Sequence, residues 1–326
     1  MGSPPTPARI RRISFIVAAA LAAVLLWLSL RGIDWREVKR IVSNASPGLL
    51  AISAACASIT LFLRAVRWRV LLNAEGSIGV PAVFWATAAG LFGNNFLPAR
   101  AGELVRTVIV STRSGLGNVY VLATALSERV ADMLVLVIVS AAVLLTLPSP
   151  PGWMARTATP IAMAGLIGAS AIAVLPLCES FVRRAIERLP LPDRLRLPLT
   201  HAIESGMRGV RAFHDVRRLS IFLGLTFVIW WLDAIGTVIC ASALDLRIPT
   251  AVAFLLIAGL GVGSALPSTP GYVGIYQFVA VSVLTPFGFS RTDAIAYILV
   301  AQALFFVVIG FWGSIGLWRQ RHPHSG

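Results

Sequence analysis

Gly90-Leu91-Phe92-Gly93-Asn94-Asn95-Phe96-Leu97-Pro98-Ala99-Arg100-Ala101-Gly102 closes one apolar run and opens another. Gly259-Leu260-Gly261-Val262-Gly263-Ser264-Ala265-Leu266-Pro267-Ser268-Thr269-Pro270-Gly271 does the same at an offset of 169 residues. Proline lacks an amide hydrogen and its ring clashes with the preceding turn, so no helix runs straight through either stretch. A membrane span needs about 20 apolar residues, and each piece beside these breaks is shorter. Regions 80–111 and 250–286 are therefore expected to be re-entrant helical hairpins, each entering and leaving on one side. Between them, Gly90-Leu91, Leu97-Pro98 and Gly102 coincide without gaps with Gly259-Leu260, Leu266-Pro267 and Gly271.

Working outward, apolar segments recur along the chain, at 13–30, 48–72, 118–147, 157–177, 219–244 and 293–318. Apolar residues make up 57% of the 326 and charged residues 13%, with a mean hydropathy of +0.82. Soluble domains carry about twice that share of charge. The fold class expected is all-α integral membrane, with about six full spans plus the two hairpins. It forms one polytopic domain over 1–326. A helix precedes and follows each hairpin, so the halves 48–147 and 219–318 read as an internal repeat.

The net charge of +14 comes from 28 basic residues, nearly all Arg, gathered at the edges of apolar segments. That placement speaks for a membrane and against nucleic acid. Basic loops stay cytoplasmic. With both hairpins re-entrant, 20 basic residues fall inside, 7 outside, and Arg129 within a span. Both termini and a basic linker at 178–218 are then cytoplasmic, in the cell inner membrane. The first hairpin opens inward and the second outward, which makes the repeat inverted, an architecture shared by many carriers. Arg9, Arg11 and Arg12 before an apolar run resemble a signal peptide, but no small-residue cleavage site follows, so the run is expected to stay attached. Asp34 and Glu37 form a capping-box pattern ahead of a face of Trp35, Val38, Ile41 and Val42. This helix, and one at 180–189, are expected in the headgroup layer or as plain connectors. Cys56, Cys178 and Cys240 and four scattered His residues suggest neither disulfide nor metal site, and no cofactor is expected.

Charges at membrane depth are costly and tend to be functional or paired. Glu128, Arg129 and Asp132 lie three and four residues apart on one side of a helix. They read either as an internal ion pair or as part of a transport path. Arg100, Glu103 and Arg106 lie on the first hairpin, where an unwound helix lines a hydrated route. Arg64, Arg67 and Arg69 around Trp68 read as a positive-inside anchor with interfacial Trp, or as substrate contacts. In the second hairpin, uncharged Ser268, Thr269, Tyr272, Tyr276 and Gln277 stand in the corresponding region. Asn94 and Asn95 precede the first break, where they satisfy freed backbone groups or touch substrate. Pro98, Gly102, Pro267, Pro270 and Gly271 shape the broken-helix loops, and helices starting near Gly102 and Gly271 offer free N–H groups to a phosphate.

Arg64-x-x-Arg67-Trp68, Asn95-Phe96-Leu97-Pro98-Ala99-Arg100-Ala101-Gly102-Glu103-x-x-Arg106, Glu128-Arg129-x-x-Asp132 and Pro267-Ser268-Thr269-Pro270-Gly271-x-x-Gly274 run in this order. In these residues the chain resembles the flippase-like membrane domain of lysylphosphatidylglycerol synthases, which also occurs alone. The resemblance covers most of the chain, and its second motif is the most specific. It implies translocation of a phospholipid, aminoacylated or otherwise, or of a lipid-linked precursor. No soluble aminoacyltransferase domain accompanies it here, so synthesis of such a lipid is not expected of this chain. Gln277 stands where many relatives carry Glu, so an acidic role does not transfer to it.

The reading is a transporter rather than an enzyme, with a membrane lipid as substrate and a lipid-synthesis enzyme as the expected kind of partner. Oligomeric state is not legible. The competing readings are a membrane-embedded lipid-modifying transferase using Glu128 or Asp132 as base, and an accessory subunit of a lipid synthase.

Overall fold

The computed structural model describes residues 7–96, 101–147, 204–209, 211–265 and 270–321, and scattered positions within 152–200. The described residues are helical, with no strand among them. Four helices are long and apolar enough to cross a bilayer: α3 (Pro47–Leu72), α6 (Asn118–Thr146), α7 (Val216–Ser242) and α10 (Arg291–Arg321). At 1.5 Å per residue the shortest of them is about 39 Å long, against about 30 Å of hydrocarbon. Large side chains along them, among them Ile52, Phe62, Ile138, Phe227 and Val307, stand exposed. Such a surface suits acyl chains and not water; the chain is a multi-pass membrane protein. Further helices among the described residues are α1 (Pro7–Leu30), α2 (Trp35–Ser43), α4 (Val80–Phe96), α5 (Gly102–Ser114), α8 (Thr250–Ala265) and α9 (Ile275–Leu284).

The chain divides into two compact units. One comprises Met1–Ala57, Asn94–Arg100 and Asp233–Val308. In it α8 and α9 lie along each other, since a Cβ on Gly259 would come within 2.8 Å of Val279 and one on Gly263 within 2.8 Å of Ile275. Gly271, Tyr272 and Gly274 all have positive φ (73°, 58° and 88°), which turns the chain into α9. Gly274 lies directly against the Ala22 carbonyl of α1, where no side chain fits. Asp34 caps α2 by accepting from the Arg36 and Glu37 amides (2.9 and 3.2 Å). The expected capping box is only half formed: Glu37 turns forward to pair with Arg40, and the Asp34 amide reaches Thr292 (3.4 Å) instead. On α2, Val38 is buried while Trp35 and Val42 are exposed.

The second unit comprises Ser58–Gly93, Ala101–Leu232 and Ile309–Gly326. Its apolar core joins Leu61, Ala65, Trp68 and Leu72 of α3, Val83 and Phe84 of α4, Val110 of α5, and Tyr120, Val121 and Ala125 of α6. The Tyr120 hydroxyl donates to the Leu71 carbonyl (2.9 Å), tying α6 to the end of α3. Across the break, α4 and α5 lie together: a Cβ on Gly90 would meet the Gly102 carbonyl at 3.0 Å and the Arg106 Cβ at 2.9 Å. Trp312 of α10 packs edge-on against Phe84 (5.4 Å between centroids) and donates to the Ser58 hydroxyl (3.1 Å).

Four of the six expected spans are thus seen as long apolar helices. The segment 157–177 is described only at scattered positions, and the surface helix at 180–189 and most of the basic linker lie outside the described residues.

Candidate functional site

Helix spacing aims three pairs of charges into the second unit. Arg64 and Arg67 lie one turn apart on α3, Glu103 and Arg106 one turn apart on α5, and Glu128 and Asp132 one turn apart on α6. Arg67 is fully buried. Its Nη1 donates to Asp132 Oδ1 (2.6 Å) and to the Thr226 hydroxyl of α7 (3.0 Å). Its Nη2 donates to Asp132 Oδ2 and to Glu128 Oε1 (both 2.8 Å). The guanidinium lies over the Phe222 ring (4.9 Å), one turn before Thr226 on α7. The Arg67–Asp132 pair is bidentate, the strong geometry for this chemistry.

Arg106 continues the pattern. Its Nε donates to Glu103 Oε2 (2.6 Å), its Nη1 to Glu128 Oε2 (3.1 Å) and its Nη2 to the Ala125 carbonyl (3.3 Å). It lies over Trp68 (4.5 Å), whose indole N–H is fixed by the Thr124 hydroxyl (3.2 Å). Arg129 Nε donates to the other Glu103 oxygen (3.0 Å). At the far end Arg64 approaches Asp132 Oδ2 (3.6 Å) and lies over Trp230 (4.9 Å). The result is one chain of alternating sign: Arg64, Asp132, Arg67, Glu128, Arg106, Glu103, Arg129. It holds four guanidinium groups and three carboxylates. Its middle is buried and its ends are the accessible parts, with Arg64 at 20% and Arg129 at 36% side-chain exposure.

Two sequence expectations are corrected. Arg129 and Asp132 do not pair with each other, because each meets a better-aligned partner on another helix. Arg67 and Trp68 are not an interfacial anchor; both are fully buried, and Arg67 is the hub of the cluster. Arg69 donates to the Ile78 carbonyl (2.7 Å) and steadies the α3–α4 connection. Thr226, Thr124 and the rings of Phe222 and Trp230 were not singled out from sequence. A Thr one turn after Phe in an apolar span is a faint signal, legible only once Arg67 is known to lie opposite.

The second break is held by neutral groups in the first unit. The Gly274 amide donates to Gln277 Oε1 (2.7 Å), Gln277 Nε2 donates to Gln302 Oε1 (2.8 Å), and Gln302 Nε2 donates to the Gly271 carbonyl. Tyr272 stacks on Tyr276 with centroids 4.9 Å apart. Gln277 therefore serves the backbone of the turn, and Gln302 on α10 is its partner that sequence reading missed. Asn94 and Asn95 are buried in the last turn of α4, and Gly102 begins α5. Pro98, Arg100, Pro267, Ser268 and Thr269 lie outside the described residues; Pro270 begins a 3-10 turn ending at Tyr272. Among the described residues no three His, Cys, Asp or Glu side chains gather as a metal-binding group.

Residues 15–313 match the family model of the lysylphosphatidylglycerol synthase TM region. Two curated proteins are similar over most of this chain. A protein named glycosyltransferase AglD, from Haloferax volcanii, is 25% identical over 85% of the chain and 50% of its own length. A protein named UPF0104 membrane protein, from Methanothermobacter thermautotrophicus, is 22% identical over 96% of the chain and 95% of its own length. The chain thus spans about half the length of the first relative. No solved structure matches. With the match running from the first apolar helix into the last, the chain belongs to the lysylphosphatidylglycerol synthase TM-region family.

Proposed function

We propose that this protein is a lipid translocase, moving a phospholipid, aminoacylated or otherwise, or a lipid-linked precursor between the leaflets. The observation that carries the reading is the alternating arginine–carboxylate chain, in which Glu103 and Arg106 come from the first turns of α5, the helix that follows the Pro98 break in sequence. Replacing a buried ion pair by apolar side chains is often neutral or stabilising, so holding helices together does not by itself call for four arginines. Non-helical backbone at membrane depth is tolerated only inside protein or along a wet cavity. Arginine forks beside such a break suit a phosphodiester headgroup. The transferase reading fares worse. Both oxygens of Glu128 and both of Asp132 already accept from guanidinium N–H groups, which leaves neither aimed at a substrate proton.

The finer architecture belongs to the same proposal: six spans, two re-entrant hairpins, an inverted repeat of 48–147 and 219–318, and cytoplasmic termini in the inner membrane. In its favour, α4, α5, α8 and α9 are about 15–26 Å long, too short to cross. Gly90 and Gly259, equivalent in the repeat, both mark a close approach of the two helices in their hairpin. The relative named a glycosyltransferase favours a second reading, in which the lipid handled is a sugar-linked precursor passed to or from a partner transferase.

The test is dithionite quenching of fluorescent phospholipids in liposomes holding the purified protein. Wild type is expected to expose inner-leaflet lipid, and Arg106→Ala to abolish this while still inserting and folding. Wild-type translocation by Arg106→Ala would place the substrate path elsewhere.

A further inference from the structure

The charge chain has an unused asymmetry. Its core triad is closed: both oxygens of Asp132 and one of Glu128 are taken by a single, fully buried guanidinium. Its exposed end is not closed in this way. Glu103 places one oxygen on Arg106 (2.6 Å) and the other on Arg129 (3.0 Å), bridging two cations as the two free oxygens of a phosphodiester would. It does so from the first turn of a 13-residue helix that begins right after the break. Arg106 has a second carboxylate, Glu128, and a ring beneath it; Arg129 makes its one hydrogen bond among the described residues to Glu103.

We infer that Glu103 is a tethered stand-in for the phosphate of the transported lipid. At rest it fills the Arg106–Arg129 fork; an arriving phosphodiester displaces it, and its return expels the headgroup. The inference rests on the translocase reading, and it adds how the site is kept closed without substrate and why it releases its cargo. The exchange replaces the hydrogen bonds from Arg106 and Arg129 to Glu103 by hydrogen bonds from the same two arginines to the phosphodiester. Arg106 stays fixed throughout by Glu128 and the Ala125 carbonyl, while Arg129 changes partner. Two sources offer this ligand chemistry, a lipid headgroup and free inorganic phosphate. The lipid is the one expected, because Leu104 and Val108 on α5 and Leu126 and Val130 on α6 stand exposed beside the fork and suit acyl chains.

The experiment compares wild type, Glu103→Gln, Glu103→Asp and Arg129→Gln in nanodiscs. Binding of a fluorescent phosphatidylglycerol is measured against an excess of phosphatidylcholine, alongside liposome translocation and thermal unfolding. Glu103→Gln removes the competing charge and keeps the hydrogen-bonding shape, so it should bind the lipid about tenfold or more tighter and translocate it more slowly. Glu103→Asp, which retains the charge, should restore release. Arg129→Gln should weaken binding while remaining folded. Inorganic phosphate at millimolar concentration should displace little of the lipid from any variant; displacement equal to that by unlabelled lipid assigns the fork to free phosphate and overturns the lipid part. If folded Glu103→Gln binds no tighter than wild type, the stand-in role is wrong. If Glu103→Gln does not fold, Glu103→Asp and Arg129→Gln decide: unchanged binding in both overturns it. Wild-type protein that binds lipid with these variant effects and yet never translocates would sink the translocase reading alone.

Discussion

Replacing Arg67 by Met should be the most damaging neutral substitution in the cluster, and the hydrogen bonds say why. Without Arg67, Glu128 keeps Arg106 at 3.1 Å, but among the described residues the ion pair left to Asp132 is the longer one with Arg64 at 3.6 Å. Stranding a buried charge in this way costs about 3–5 kcal/mol. Glu128→Gln is different: Arg67 retains both oxygens of Asp132, and Arg106 retains Glu103. No ion is left alone, and the loss should be about 1–3 kcal/mol. Combining Arg67→Met with Asp132→Asn removes the stranded charge along with its partner. The pair should therefore cost less than the sum of its singles by about 2–3 kcal/mol. Reversible unfolding in mixed micelles, followed by tryptophan fluorescence, measures all four proteins on one scale. If Glu128→Gln proves as harmful as Arg67→Met, or if the double mutant shows the full sum, the closed triad does not exist as described.

Gly274→Ala should lower stability by at least ~2 kcal/mol, because its φ of 88° is left-handed and its methyl would run into the Ala22 carbonyl; Gly310→Ala, with nothing within 4 Å, is the neutral control in the same thermal melt. The Asp215 carboxyl is held below the usual range chiefly by the Arg218 amide (3.0 Å) at the start of α7. Its contribution is present above the unfolded value of about 4 and is lost as pH falls through the folded value, so Asp215→Asn should lower neutral-pH stability slightly and flatten that acid-side loss. In the inverted-repeat topology, single cysteines placed at Arg113 and Phe289 in a cysteine-free background should label from opposite sides of the membrane; labelling from one side rejects the inversion.

The spans were legible because they rest on one-dimensional quantities. Length, hydropathy and the two Pro/Gly breaks place α3, α6, α7 and α10 to within about three residues at each end. The cluster's membership was legible for the same kind of reason: a charge inside an apolar run is conspicuous whatever it touches. Its wiring was not. Helical spacing says that Arg129 and Asp132 share a side, but a pair three residues apart on one helix competes with partners approaching from neighbouring helices. Here the fully buried Arg67 and the α5 carboxylate Glu103 win. The same limit hid Gln302: a lone Gln in an apolar span gives no sign that a turn some thirty residues away needs its amide.

Arg67 and Arg106 also explain one another. A guanidinium buried as completely as Arg67 holds one position, since every movement exposes Asp132 or Glu128 to an unpaired state. Through Glu128, which touches both, that rigidity passes to Arg106 and fixes the near side of the fork. Among the described residues Arg129 makes its one hydrogen bond to Glu103, and it lies at the exposed end of the cluster. A site with one cation clamped and one free to exchange partners can take up an anion without rebuilding its core. In the proposed translocase the arrangement separates two demands on one set of charges: α3, α6 and α7 stay packed around Arg67, while α5 beside them would let a headgroup in and out. The buried triad answers the first demand, and the bridge from Arg106 through Glu103 to Arg129 answers the second.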